Sequence, residues 1–318
     1  MVGKVTPYDI MTGSNLPAML GINIFKSANE VLQEAIDYVN GNTPQGINAN
    51  EAMNWGNTLE PVIAQQASVR LGLGNPRTKH EKAVFHKEWP LAVSLDATVM
   101  GDGREQYTDI DKGIIVMNDD KPIKLDGEGC LEIKVTGSEA EYEPAPYRGV
   151  YQLQAQMACT NNSWGAICVL YRGTIMRIFI YKPEPEMLER IREVAEDFAR
   201  RVEKYRQAEE IEWYDISTTR EASAIYDEAF DKTIEVPQLE DDLKWLMEIN
   251  QDLRQLNESK GVVEARVMAQ LKEARFGRSK TFMVEWGSRT YKPQPEKVIP
   301  AKEGYTVRNK TLKVKEIK

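Results

Sequence analysis

The chain has 318 residues, 42% of them hydrophobic and 28% charged, with a formal net charge of −8. That balance describes a soluble globular protein with room for one large domain or two modest ones. Three scattered cysteines (Cys130, Cys159, Cys168) and two histidines (His80, His86) exclude a structural zinc or iron–sulfur site, so any metal must be held by oxygen, which favours Mg²⁺ or Mn²⁺. Cysteines without a CxxC pair or a disulfide ladder fit a reducing cytoplasm. The longest dense apolar run, 165–171, is too short for a membrane span, and residues 1–7 have no apolar signal core, so a cytoplasmic protein is expected.

Thr12-Gly13-Ser14-Asn15 reads as a turn into a short helix. Ser27-Ala28-Asn29-Glu30 has capping-box spacing and opens a helix whose face is Val31, Leu32, Ala35, Ile36 and Val39. A second helix is expected over 51–71, with Glu60 beside its apolar stripe and Pro61 kinking the axis. Strands are expected over 83–86 and 91–99, the second with Asp96 embedded in it. Segments 114–117 and 123–125 flank Asn118-Asp119-Asp120-Lys121-Pro122, which is hairpin chemistry. After the strand 131–135 come a Pro- and Glu-rich loop, a helix over 147–160, and a hairpin of 165–171 with 174–181 through Arg172-Gly173. This order points to a mixed central sheet flanked by helices, an α/β protein of the α+β type and not a doubly wound one. No G-x-G-x-x-G or Walker loop supports nucleotide binding.

Beyond Pro185 the chain turns helical and charged. Leu188, Ile191, Ala195, Phe198, Val202 and Tyr205 form one stripe. In a second long helix, 239–275, Leu246, Ile249, Leu253, Leu256, Val263, Val267 and Gln270 recur at steps of three and four, interrupted by Lys260, a heptad-like seam expected to close a helical hairpin. Strand-like segments follow at 281–286, 305–307 and 311–315. The expected organisation is therefore a core over 1–184, a helical hairpin extension over 185–276 and a small basic β segment over 277–318 that packs back on the core. From Lys260 to Lys318 there are 15 basic against 6 acidic residues, which leaves −17 on residues 1–259. Such an end can offer an anion-binding surface or be a solvated tail.

One stretch carries chemistry. In Leu131-Glu132-Ile133-Lys134-Val135 the strand alternation puts Glu132 and Lys134 on one face and the three apolar residues on the other. Alone, the pair reads as an ion pair on a half-exposed strand. In the helix that follows, Tyr147, Tyr151, Gln154 and Ala158 share one face, while Gln152 and Gln156 share another.

Taken together, Glu60 on a helix, Asp96 in a strand and Glu132-x-Lys134 in a later strand resemble the PD-(D/E)XK nuclease superfamily, and within it the lambda-exonuclease and YqaJ viral recombinase family of phage-type alkaline exonucleases. Thr12-Gly13-Ser14 with Leu20-Gly21-Ile22-Asn23 is similar to the family's opening motif. Asn54-Trp55-Gly56-Asn57-Thr58-Leu59-Glu60-Pro61 is similar to its W-G-x-x-x-E-P helix. Ser94-Leu95-Asp96-Ala97 stands where the family has S-P-D-G, with Leu95 and Ala97 departing from the pattern. Tyr151-Gln152-Leu153-Gln154-Ala155-Gln156 matches Y-x-x-Q-x-Q.

The resemblance implies a restriction-endonuclease-like core. It also implies a 5′→3′ exonuclease on linear double-stranded DNA that leaves 3′ overhangs for recombination. It further implies Mg²⁺, or Mn²⁺ as substitute, at two ions per site, a toroidal homotrimer, a single-strand-annealing partner and a phage or prophage origin. Asp96, Glu132, the backbone carbonyl of Ile133 and Glu60 would be metal ligands. Lys134 would orient or help deprotonate the attacking water, and Gln154 would be the glutamine nearest the site. Ser14 and Tyr151 would contact the DNA end. The family binds the 5′-phosphate with an arginine before the opening motif, and the nearest basic residue here is Lys4. An endonuclease on the same core, or an inactive DNA-binding relative, are the competing readings.

Overall fold

The computed structural model describes residues 6–23, 25–42, 51–78, 80–119, 121–207, 210–216, 218–226 and 233–287. It divides into two compact units, Met1–Ser217 and Thr218–Lys318. Lys4 and the strands expected at 305–307 and 311–315 lie outside the described residues.

The first unit is built on a mixed six-stranded sheet. Its strands are β1 (Arg77–Thr78), β2 (Ala97–Met100), β3 (Ile114–Val116), β4 (Glu128–Thr136), β5 (Gly165–Tyr171) and β6 (Ile175–Tyr181), in the order β1-β2-β4-β5-β6-β3. The interior strand β5 is apolar along almost its whole length because both its faces are covered. Ile167 and Val169 join one core; Ala166 and Cys168 join the other.

Helices cover both faces. On the first lie α1 (Ala28–Val39), α3 (Val150–Thr160) and α4 (Pro185–Arg206), whose buried residues share a core with Ile167 and Val169. On the second lies α2 (Glu51–Leu71), which buries Ile63, Ala64, Ala67 and Leu71 against Leu131, Ile133 and Trp164. The capping box forms as its spacing implies: the Ser27 hydroxyl accepts from the Glu30 N–H, and the Glu30 carboxylate accepts from the Ser27 N–H. Helix α2 runs unbroken through Pro61.

Three expectations change. Segment 91–99 is two strands in different sheets: Leu91–Val93 pairs with Met11–Thr12 and Val84–Phe85, while β2 joins the main sheet. Asp96 therefore sits at the crossover and not inside a strand. Residues 114–117 and 123–125 do not form a hairpin, because β3 runs parallel to β6 and Ile123–Lys124 pairs with Glu105–Gln106. Finally, the first compact unit runs past residue 184. Helix α4 places Ile191, Ala195, Phe198 and Val202 in the core, at about 2–3 kcal/mol for burying a side chain such as Phe198. Two hydrogen bonds between Asn29 and the Tyr214 backbone, and the Arg201 guanidinium 4.0 Å over the Tyr214 ring, strap the following segment down.

The second unit contains the long helix α5 (Glu240–Leu271) and the antiparallel pair Phe276–Arg278 with Met283–Glu285. No residue of α5 is buried.

Candidate active site

Strand β4 holds the centre. Its alternation sends Leu131 and Ile133 into the core against α2, while Glu132 and Lys134 face α3. Glu132 is fully buried. A buried carboxylate is costly unless it is paired and hydrogen-bonded, and this one is both. Its Oε1 takes Lys134 Nζ at 2.5 Å, and its Oε2 takes Gln156 Nε2 at 2.6 Å. Gln152 Oε1 lies 3.3 Å from the same Lys134 ammonium, so α3 grips both members of the pair.

Asp96 enters where a strand stops. The β2–β4 ladder ends at Ala97 opposite Leu131, and beyond it the Asp96 Oδ2 accepts the Ile133 N–H at 2.8 Å. A strand residue's N–H and C=O point to the same edge, so the Ile133 carbonyl also looks toward Asp96. Glu60 comes from α2, half-buried and within the field of Glu132 and Lys134. Glu60, Asp96, Glu132, Ile133 and Lys134 thus lie in one neighbourhood.

The electrostatics are those of a crowded anionic site. Burial first, then the Asp96 charge, push the Glu132 carboxyl up to about 7, against the pull of Lys134 and Gln156. Burial raises Asp96 to about 6, with Lys134 and the Ile133 amide opposing and Glu60 adding to the rise. Glu60 is raised by burial and then by Glu132. Burial alone would lower Lys134, but Glu132, Asp96 and Glu60 hold it above its ordinary value, so it stays an ammonium.

Gln154 is a correction. It is fully buried, but its Nε2 donates to the Lys182 carbonyl at 3.0 Å and its Oε1 accepts the Glu184 N–H at 3.0 Å. It ties α3 to the end of β6, and the glutamine at the carboxylates is Gln156, which also donates to the Ser94 carbonyl at 3.0 Å. Gln156 Oε1 is buried without a protein partner. Tyr151 lines a cavity of about 580 Å³ with Tyr181, Lys182 and Met187. Ser14 is exposed, with its hydroxyl 3.2 Å from that of Thr12. The neighbouring Gly13 packs so closely that a Cβ there would lie 3.1 Å from Val93 and 3.5 Å from the Gln152 side chain.

The sequence reading missed two supports. Gly149 has φ 104° and caps α3, which therefore begins at Val150 and not at Tyr147. A Cβ on it would meet the Lys134 Cε at 3.2 Å and the Glu132 Cγ at 3.3 Å, so both its conformation and its closeness call for glycine. One residue earlier, the buried Arg148 guanidinium binds Glu141 through Nε at 3.0 Å and Nη2 at 2.9 Å, and the Tyr171 hydroxyl donates to the same carboxylate at 3.0 Å. This bidentate pair fixes the loop leading from the charged strand to α3.

Among the described residues, no three of His, Cys, Asp and Glu are gathered closely enough to hold a metal ion. Lys134 stands instead as the counter-charge to Glu132. The donors themselves suit a hard divalent cation: three carboxylate side chains whose protons are held tightly by burial first and by one another's charge second, and a backbone carbonyl on the same edge.

The model of the YqaJ-like viral recombinase domain matches residues 7–163. A comparison with curated proteins finds no match. Among solved structures, an alkaline exonuclease (LHK-Exo) from Laribacter hongkongensis is similar at 17% identity and a TM-score of 0.45, over 64% of this chain and 92% of that one. LHK-Exo in complex with dAMP is similar at 18% identity and a TM-score of 0.43, over 64% of this chain and 95% of that one. Every member of the carboxylate–lysine cluster, with Gln152 and Gln156, falls inside the span that is similar to the YqaJ-like viral recombinase domain.

Proposed function

We propose that the protein is a Mg²⁺-dependent nuclease that digests one strand of linear double-stranded DNA from 5′ to 3′ and leaves 3′ single-stranded overhangs for homologous recombination. The observation that carries this reading is the buried Glu132, clamped between Lys134 and Gln156 and set beside Asp96, inside a YqaJ-like domain. Asp96, Glu132, Glu60 and the Ile133 carbonyl would hold Mg²⁺, two ions per site with Mn²⁺ as a substitute, which supplies positive charge for the scissile phosphate and acidity for the attacking water.

The chain's own groups do the rest. The Ile133 amide aims the Asp96 carboxylate, and Gln156 fixes Glu132. Lys134, held as an ammonium, orients the water and steadies charge on the phosphate. Gln156 Oε1, buried without a protein partner, can accept from a group ordered by the substrate. Ser14, exposed at the start of the domain, would meet the phosphate of the DNA end, as would Lys4. Tyr151, turned to the other cavity, lies outside the reacting centre in this reading. A homotrimeric ring in the cytoplasm, with DNA threaded through a basic channel and a single-strand-annealing protein as partner, would reconcile an acidic chain with DNA binding. Among the described residues no helix is long and apolar enough to cross a membrane.

Linear duplex labelled at either end, with and without a 5′-phosphate, is incubated with Mg²⁺ beside a closed-circular control. Loss from 5′ ends of the linear form alone is expected. Cutting of the circle would make the protein an endonuclease, and no digestion in either Mg²⁺ or Mn²⁺ would make it an inactive DNA-binding relative.

A further inference from the structure

Helix α5 has an apolar seam that the described residues of its own unit leave open. Leu246, Ile249, Leu253, Leu256, Val263 and Val267 follow heptad steps, with Lys260 and Gln270 at two of the seam positions. Leu253 is 51% exposed, Leu256 65% and Val263 54%. An exposed stripe of this length on one helix asks for a second helix.

The charges say which one. From Glu240 to Asp252 there are five acidic residues against one basic; from Leu253 to Leu271 there are three basic against two acidic. Such a helix complements its own reverse. We propose that α5 pairs with α5 of a second copy in antiparallel orientation, in the register that sets Leu253 against Val263 of the second copy.

In that register Ile249 faces Val267, Leu246 faces Gln270, and the Lys260 stem lies along Leu256 with its ammonium free to reach water. The flanking Asp252 then meets Arg266, and the twofold symmetry makes that pair twice. A parallel pair does the opposite. It stacks Lys260 on Lys260 in the seam, sets Asp252 beside Asn257 instead of Arg266, and brings the two acidic halves together. A twofold contact cannot by itself close a three-membered ring, so this surface would add to a trimer and not build it.

Full-length Leu253→Cys and Val263→Cys proteins, differently tagged, are expressed separately and together and then oxidised, with the wild-type chain as control for Cys130, Cys159 and Cys168. A disulfide-linked dimer between the two variants, absent when either is oxidised alone, is the expected result. In a Lys260→Leu background, Leu253→Cys alone should begin to cross-link to itself, because the like-charge obstacle to the parallel pair is gone. Self-cross-linking of either variant with Lys260 intact would overturn the antiparallel arrangement. No linked dimer in any combination would show that the seam is covered by the chain's own residues or by nothing, and would overturn the proposal.

Discussion

The two compact units have opposite faults. The first buries groups that prefer water: Glu132 is fully buried, Asp96 carries a carboxyl raised to about 6, and Gln156 has an orphaned amide oxygen. The second exposes groups that avoid water, with Leu256 at 65% and no residue of α5 buried. Misplaced polarity inside a well-packed sheet points to a ligand of opposite charge and a reaction. Misplaced apolarity on a lone helix points to another helix. The same free-energy reasoning, applied to opposite kinds of group, separates a candidate catalytic region from a candidate associating one.

The comparison breaks most sharply at Lys134. Lys134→Ala should reduce cleavage of linear DNA by about 10³-fold while DNA binding survives. A gel-shift measurement beside the cleavage assay checks both halves, and near-wild-type cleavage would remove Lys134 from the mechanism. Gln156→Ala should cost about 10–100-fold in activity, because Glu132 loses the donor that orients it.

Gln154→Ala sharpens the contrast within one helix. It should lower stability by about 1–3 kcal/mol, since the Lys182 carbonyl and the Glu184 amide lose their partner, yet leave the activity of the folded fraction unchanged. Urea melts and activity normalised to folded protein separate the two glutamines.

Proton linkage tests the buried charge itself. Asp96 and Glu132 have pKa values raised on folding, to about 6 and about 7, so the folded state binds more protons than the unfolded state between pH ~4 and ~7. Without divalent cations, their contribution is least unfavourable below that window. It becomes destabilising, by a few kcal/mol for Glu132, as pH rises through it. Wild type should therefore lose urea resistance from pH 4.5 to 8 relative to Glu132→Gln, and a flat difference would contradict the burial cost. In the second unit, Leu256→Asp should change the stability of the unassociated chain by no more than about 0.5 kcal/mol, because within a single copy that side chain is exposed and buries nothing to lose.

Much of this was legible in the residues. Strand alternation alone put Glu132 and Lys134 on a common face with Ile133 in the core behind them, and capping-box spacing located the start of α1. Two site features were not legible, for one reason: periodicity tells which residues share a face, but not where that face turns. Tyr151 and Gln154 do share a side of α3, yet that side meets the end of β6, and the Gln152–Gln156 side meets β4. Likewise the apolar run around Asp96 reads as one strand, because the switch from one sheet to another at Ser94–Asp96 is decided by partners distant in sequence. The stripe of α4 was visible, but not that it completes the first core.

The Asp96 crossover makes the site its own reporter. The Asp96 carboxylate stands in for a missing rung of the sheet, so the Ile133 amide has a side chain where its neighbours have backbone. Any event that draws Asp96 Oδ2 elsewhere unlatches that amide. Hydrogen–deuterium exchange at Ile133 should therefore quicken in Asp96→Ala, which removes the acceptor, while the amides of β5 keep their protection. The placement of Asp96 becomes readable at one backbone position, without a substrate and without turnover.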